Sequence, residues 1–456
     1  MFVKHALFPM GVLMAFLLCG STLDFPHAVW AQDQLPQENA PTGTLSDEAD
    51  FQSKHTMDVI TLKAAISQAL LKSPALRAFS WEIRAQEART VQAGLLPNPD
   101  IELETENFGG EGDLKRFESA ETTLRLSQLI ELNGKRAKRK KIASLEHGLT
   151  EWDYYSKRAD VLAQVTNAFV DVLASQEHLA LADELVVLAE KVLNTVSVRV
   201  KAGKVSPVEE TRAKITYSTS QIERGRTKRE LEASRMQLSI ILGSETPVFE
   251  KVDGRLDGIR PVPSMEQLQG FIFRNPDIAR WETEVRLRDA GVALEDAKRI
   301  PDPTVHLGVR NFNESHDNAF VLGVSIPIPL FDQNREGALE ARHRLARADE
   351  EYLAAKTRIL SGLSEAYQSL SNAYSEATAL QKDVLPDAQA AFHVSREGYR
   401  YGKFDYLFLL DAQRTLFEVK VRHIEALSRY HKAVADVERL IGTGLDTLTE
   451  THQKKS

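Results

Sequence analysis

The sequence predicts a mainly α-helical protein with a small β part, built from two tandem copies of a helix–strand–strand–helix unit. Three observations carry that prediction. Short motifs recur at an offset of roughly two hundred residues: Ser73-Pro74-Ala75-Leu76 returns as Asn275-Pro276-Asp277-Ile278, Pro97-Asn98-Pro99-Asp100 as Pro301-Asp302-Pro303, and Ala202-Gly203-Lys204 as Tyr401-Gly402-Lys403. Two long stretches, Lys135 to Ala202 and Arg335 to Tyr401, contain no proline but Pro386 and repeat apolar residues every seven positions. Four short segments alternate apolar and polar side chains.

At the N-terminus, Lys4 and His5 precede an apolar run from Ala6 to Leu18, and Val29 and Ala31 supply small residues for cleavage before Gln32. Residues 1–31 therefore read as an export signal, too short to span a bilayer as a helix. Cys19 is the only cysteine, and Leu18 stands where a lipidation signal needs a small residue. The exported chain would carry no thiol, which excludes a disulfide framework and a thiolate metal site. Residues 32–56 are a polar arm rich in Pro, Asp and Gln. The first repeat follows over 57–243, a linker with Pro247, Pro261 and Pro263 over 244–263, the second repeat over 264–443 and a tail over 444–456.

Each repeat opens with a short helix, Leu62 to Leu71 or Met265 to Phe273. A second helix starts at Ser73-Pro74 or Asn275-Pro276, a capping residue followed by proline at the first helical position. The long helices come after the strands and would each reach on the order of 100 Å. In the first, Val165, Val172, Leu179, Val186, Leu193 and Val200 form one seam and Ala168, Ser175, Ala182, Ala189 and Val196 a smaller one. That pairing favours close, left-handed coiled-coil packing. In the second, Leu353, Leu360, Tyr367 and Tyr374 run beside Leu363, Leu370, Ala377, Val384 and Ala391. Gly203 and Gly402 stop the long helices. Ser206-Pro207-Val208-Glu209 reads as a capping box for the next helix, and Asp405 as the cap of its counterpart. Both repeats therefore contain a long antiparallel helical hairpin.

The strands bear on function. Ile101 to Glu106 alternates without a break, as do Thr122 to Ser127, Thr304 to Arg310 and Phe320 to Ile326, in two hairpins with loops at Phe108–Ser119 and Asn311–Asn318. A soluble antiparallel sheet with one wet face fits this pattern, and so does a tilted transmembrane strand of ~9–11 residues. No segment after the signal offers the ~20 apolar residues of a membrane-spanning helix, so any crossing must use strands. Four strands cannot close a barrel, and a bilayer forbids open edges. An exported chain with four such strands needs partners, and three copies would supply twelve.

The formal charge of −8 argues against nucleic acid. One run, Lys135 to Lys141, is strongly basic; it reads as the solvated start of a helix or as a contact for anionic headgroups or lipopolysaccharide. There is no Gly-rich phosphate loop, GxSxG elbow or HExxH motif. The histidines are scattered: His423 and His431 share a helix without i, i+4 spacing, and His306, His316 and His393 are isolated. Nothing in the sequence calls for a catalytic group, a cofactor or a resident metal.

Over roughly Thr61 to Gly442 the duplicated unit after an export signal resembles the TolC-like outer-membrane efflux family. Ala93-Gly94-Leu95-Leu96-Pro97-Asn98-Pro99, Glu106-Asn107-Phe108-Gly109-Gly110, Leu126-Ser127-Gln128-Leu129-Ile130-Glu131-Leu132, Gly134-Lys135-Arg136 and Ser325-Ile326-Pro327-Ile328-Pro329-Leu330-Phe331 are similar to its CzcC-type branch, which serves heavy-metal resistance pumps. The resemblance implies a homotrimer in the outer-membrane lipid, a twelve-stranded β-barrel above a periplasmic α-barrel, and docking to a periplasmic adaptor and an inner-membrane RND-type pump. It places adaptor contacts at the tips, here Gly203, Lys204, Gly402 and Lys403. It puts Glu102, Glu104, Glu106, Arg125, His306 and Arg310 on the lumen side of the strands. The family closes its periplasmic end with acidic rings just past the second tip; Asp411 matches one ring position, while Phe408 departs from the other. The alternative is a soluble periplasmic coiled-coil scaffold or pump adaptor, although no lipoyl-like module lies between the hairpin halves.

Overall fold

A computed structural model describes residues 57–247 and 249–446. The export signal with Cys19, the polar arm and the tail from residue 447 lie outside the described residues. In chain order the elements are β1 (Met57–Thr61), α1 (Leu62–Lys72), α2 (Pro74–Ala93), β2 (Asp100–Glu106), β3 (Glu121–Leu129), α3 (Lys135–Lys201), α4 (Pro207–Ile241), β4 (Phe249–Asp253), α5 (Met265–Gln269), α6 (Pro276–Lys298), β5 (Thr304–Phe312), β6 (Asp317–Ser325), α7 (Arg335–Ala379), α8 (Leu385–Arg400) and α9 (Tyr406–Ile441). The fold is mainly helical.

The helix starts follow the sequence signals. Ser73 Oγ accepts from Leu76 N at 3.4 Å, and Pro74 takes the first helical position. Asn275 accepts from Asp277 N at 2.7 Å while its amide donates to Arg439 O and Leu440 O, tying α6 to the end of α9. The short helix expected from Met265 to Phe273 is shorter: α5 stops at Gln269 and a 3₁₀ turn covers Ile272–Arg274.

Helix α3 runs unbroken for 67 residues, about 100 Å at 1.5 Å per residue. It packs antiparallel on α4 through small residues. Ser175 Oγ meets Ser234 Oγ at 3.0 Å. Steps of seven from that contact set Ala182 beside Thr227, Ala189 beside Ser220 and Val196 beside Ala213, all of them buried. Small side chains on both seams let the two backbones approach closely.

The second long helix behaves differently. Pro386 has no N–H to donate and its ring crowds the preceding turn. The chain meets this with a π turn over Leu380–Val384, between α7 and α8. A π turn inserts one extra residue, which rotates everything beyond it by about 100°. The seam through Leu363, Leu370 and Ala377 holds up to that point. Its expected continuation at Val384 and Ala391 does not: Val384 is 42% exposed, Ala391 is exposed, and the core position passes to Phe392 at 8% and Tyr399 at 4%.

Strands β2, β3, β5 and β6 form one antiparallel sheet in that order. Each repeat contributes one hairpin, and the β3–β5 pairing, Leu129 to Thr304 through Glu121 to Phe312, joins the two. Strands β2 and β6 are the edges. Residues 244–263, expected to be a linker, contain β4, which pairs in parallel with β1. Ile60, Phe249 and Val252 point into a core with Phe169, Leu238 and Leu242.

Candidate functional site

Residues directly opposite in an antiparallel ladder share a face. Glu102 stands opposite Arg125, Glu104 opposite Thr123, Ser127 opposite His306 and Thr123 opposite Arg310. The register therefore brings Glu102, Glu104, Glu106, Arg125, His306 and Arg310 onto one face of the sheet. They are not independent side chains. Arg125 donates to Glu102 at 3.2 Å and Glu104 at 3.4 Å. Arg310 donates to Glu121 at 2.8 Å, Thr123 at 2.9 Å and Glu106 at 3.4 Å. Ser127 Oγ and His306 Nδ1 lie 2.7 Å apart. Glu121 and Thr123 complete this network, although the alternation that exposes Glu102 as polar marks them equally. The opposite face carries Ile101, Leu103, Leu124, Leu126, Leu307, Val309, Phe320 and Leu322, all exposed, Phe320 at 89%.

At the other end of the long helices the two hairpin tips come together. Gly203 and Gly402 adopt φ of +68° and +71°, left-handed geometry that terminates a helix and that glycine takes without strain. Lys204 N returns to Arg199 O at 2.9 Å and Lys403 N to Gly398 O at 2.8 Å. Lys204 and Gly402 line one open groove with Thr195, Arg199 and Tyr401. Arg199 crosses between the tips: its Nη1 donates to Tyr399 O at 2.8 Å, and its guanidinium lies 4.6 Å from the Tyr399 ring centre. The Tyr399 hydroxyl donates to Glu209 at 3.2 Å. Nothing local in the sequence marks this junction, because its partners stand two hundred residues apart.

Two expected caps are modified there. Ser206 caps α4 by accepting from Val208 N at 3.3 Å, but Glu209 is engaged by Tyr399 and does not complete a capping box. Asp405 occupies the cap position of α9 without a side-chain cap bond. Burial pushes the neighbouring Tyr406 hydroxyl up to about 12, so it stays protonated against Tyr399, with ring centres 5.7 Å apart.

Phe408 and Asp411 lie three residues apart on α9, both exposed, while Leu409, Gln413 and Leu416 between and beyond them are buried. They therefore share the outward face. Phe404 joins them, its ring 6.0 Å from that of Phe408; its spacing of four residues was the available signal. Arg414 follows on the same face but turns to Glu418 at 2.7 Å. The basic run is not simply solvated: Lys135 is buried and pairs with Asp302 at 2.8 Å, and Arg139 pairs with Glu131. Among the described residues, no group of three or more His, Cys, Asp or Glu side chains is arranged to hold a metal ion, and no helix is long and apolar enough to cross a membrane.

Long antiparallel helical hairpins carrying a four-stranded sheet, apolar on one exposed face and salt-bridged on the other, are the makings of an outer-membrane channel protein. The family model for outer membrane efflux proteins matches residues 65–244 and 268–443. The cobalt-zinc-cadmium resistance protein CzcC of Cupriavidus metallidurans is 33% identical over 383 residues, 84% of this chain and 90% of that one. A solved membrane protein from Pseudomonas aeruginosa superposes with a TM-score of 0.70 at 20% identity, over 91% of this chain and 97% of its own. CusC, described as forming a transmembrane channel, gives 0.68 at 18% identity over 84% and 92%. The chain belongs to the outer membrane efflux protein family, and within it resembles the metal-resistance branch. It is an outer-membrane efflux channel protein with a periplasmic helical part.

Proposed function

We propose that three copies of this chain close into a twelve-stranded barrel over a helical barrel, forming the exit duct of a tripartite pump that expels metal ions. The observation that carries the proposal is the sheet itself. Four strands with a wholly exposed apolar face and unpaired edges at β2 and β6 cannot stand alone in a bilayer, where every backbone group must be paired. Three sheets joined edge to edge satisfy that requirement and give an even strand number. The apolar faces then meet lipid, and Glu102, Glu104, Glu106, Arg125, His306 and Arg310 line the bore.

The remaining parts follow from the duct. An export signal over residues 1–31 delivers the chain. The tips at Gly203, Lys204, Gly402 and Lys403 receive a periplasmic adaptor, which couples the duct to an inner-membrane RND-type pump. Phe408 and Asp411, exposed just past the second tip, form a constriction of one aromatic and one carboxylate ring. Metal cargo is supported by the likeness to the cobalt-zinc-cadmium resistance protein; the pump supplies selectivity and energy, and the duct needs no binding site.

Membrane fractionation tests the assembly. A heat-modifiable trimer that requires detergent is expected; a monomer released in periplasmic extract would overturn it in favour of a soluble scaffold. For the cargo, a deletion strain should become sensitive to cobalt, zinc or cadmium, and unchanged tolerance would remove metals from the proposal.

A further inference from the structure

The basic run at the start of α3 divides into two jobs. Lys135 and Arg139 are used internally, on Asp302 and Glu131. Lys138 folds back onto Asn133 O at 2.6 Å. Arg136, Lys140 and Lys141 remain exposed, and no carboxylate among the described residues lies within ion-pair distance of them. Arg136 contributes only a bond from Nε to Gly94 O at 2.6 Å, and the stem of Lys140 runs beside the same glycine. In a chain of net charge −8, three uncompensated cations within two helical turns are a local excess that no internal contact explains.

Their position supplies the explanation. Helix α3 begins six residues after β3 ends, and Leu129, Thr304 and Ser325 align at that end of the sheet. Every connection from sheet to helix is made there, so this end faces the periplasm. Beside the cations, Val91, Leu95 and Leu96 stand exposed, and the loop from β6 to α7, at the same end of the sheet, exposes Ile326, Ile328, Leu330 and Phe331, the last at 99%. Apolar and aromatic side chains at a strand end, flanked by long cations, are what a membrane–water interface selects.

We propose that Arg136, Lys140 and Lys141, with Leu95 and Leu96 beside them, bind the phosphate of an anionic phospholipid in the periplasmic leaflet of the outer membrane. The proposal rests on the strands being transmembrane. The three cations supply the charge and hydrogen-bond donors for the phosphate, and the exposed leucines meet the upper part of the acyl chains. Lipid A phosphates sit in the opposite leaflet and would not reach this end of the sheet.

The test uses the full chain in non-ionic detergent, titrated separately with phosphatidylglycerol, phosphatidylcholine and lipid A, with bound lipid counted by native mass spectrometry. The wild type should prefer phosphatidylglycerol. Each cation at an anionic surface adds about fivefold in affinity, so R136Q/K140Q/K141Q should lose roughly a hundredfold. The charge-keeping R136K/K140R/K141R should retain the preference, and K201Q/K204Q at the far tip should leave it unchanged. Equal affinity of the wild type for phosphatidylglycerol and phosphatidylcholine, a preference for lipid A, or an unaltered affinity in the glutamine variant each overturns the proposal. Carbonate extraction separates the two levels. A wild type that resists extraction yet shows no preference defeats the headgroup site alone; one that is extracted defeats the transmembrane reading and the site with it.

Discussion

Arg199→Ala tests whether the two hairpin tips are latched. Arg199 makes a charge-assisted hydrogen bond to Tyr399 O at 2.8 Å, and its guanidinium lies 4.6 Å from the Tyr399 ring centre. A bond from a charged donor contributes about 1.5–3 kcal/mol, and a partly exposed cation–π contact about 0.5–1 kcal/mol. The low end applies, because Gly402 N also donates to Tyr399 O at 3.0 Å and keeps that carbonyl satisfied after truncation. Removal should therefore cost about 2 kcal/mol locally, roughly a thirtyfold shift toward the opened tip. Hydrogen exchange reads this directly. Amides of Gly402 and Lys403 should exchange roughly thirtyfold faster in the variant, while those around Val165 and Val172 stay as they were. In planar bilayers the same variant should pass more current if the tips close the duct. Unchanged exchange at Gly402 and Lys403 would refute the latch, whatever the conductance does.

Three further expectations follow from named contacts. Phe392→Ala should destabilise the chain by about 3–5 kcal/mol and Val384→Ala by less than about 0.5 kcal/mol, measured by denaturant unfolding in detergent; the reverse order would mean the heptad runs unshifted through Pro386. Alanine at Phe408 and Asp411 together should raise single-channel conductance, and an unaltered value would remove them from the constriction. Burial holds His178 and His423 below the ordinary histidine value despite nearby carboxylates. The unfolded chain then binds protons the folded one excludes, so their stability contribution is full above about pH 6.5 and falls as pH drops through it. His178→Gln and His423→Gln should flatten that acid limb in a circular-dichroism titration, and an unchanged slope would assign it elsewhere.

Local chemistry made most of the fold legible. Ser73 with Pro74, Asn275 with Pro276, and the glycines at 203 and 402 mark helix ends because caps and left-handed turns are set by neighbours in the chain. Alternation placed Glu102 and Ile101 on opposite faces because a strand's period is two. What stayed hidden depends on distant partners. Strands β1 and β4 have five residues each, too few to establish a period, and exist because they pair. Lys135 reads as solvent-facing in a basic run, yet Asp302, from the other repeat, buries it. The network of Arg310 with Glu121 and Thr123, and the bridge from Arg199 to Tyr399, join the two copies and leave no local trace.

The duplication also shows where the copies have parted. Both tips use the same left-handed glycine and the same helix–turn–helix plan, but α3 is regular throughout whereas the second long helix is interrupted at Leu380–Val384. A π turn has weaker, displaced hydrogen bonds and is a natural hinge. Here it lies on the hairpin that carries Phe404, Phe408 and Asp411. If one hairpin of each chain swings to open the periplasmic end, it should be this one, pivoting at the π turn about its regular partner. Amides over residues 380–386 should then exchange faster than those at residues 181–187 of α3, and Pro386→Ala should narrow the gap by allowing a regular helix to form. Equal protection at the two sites in the wild type would refute the hinge and return the motion to the tips alone.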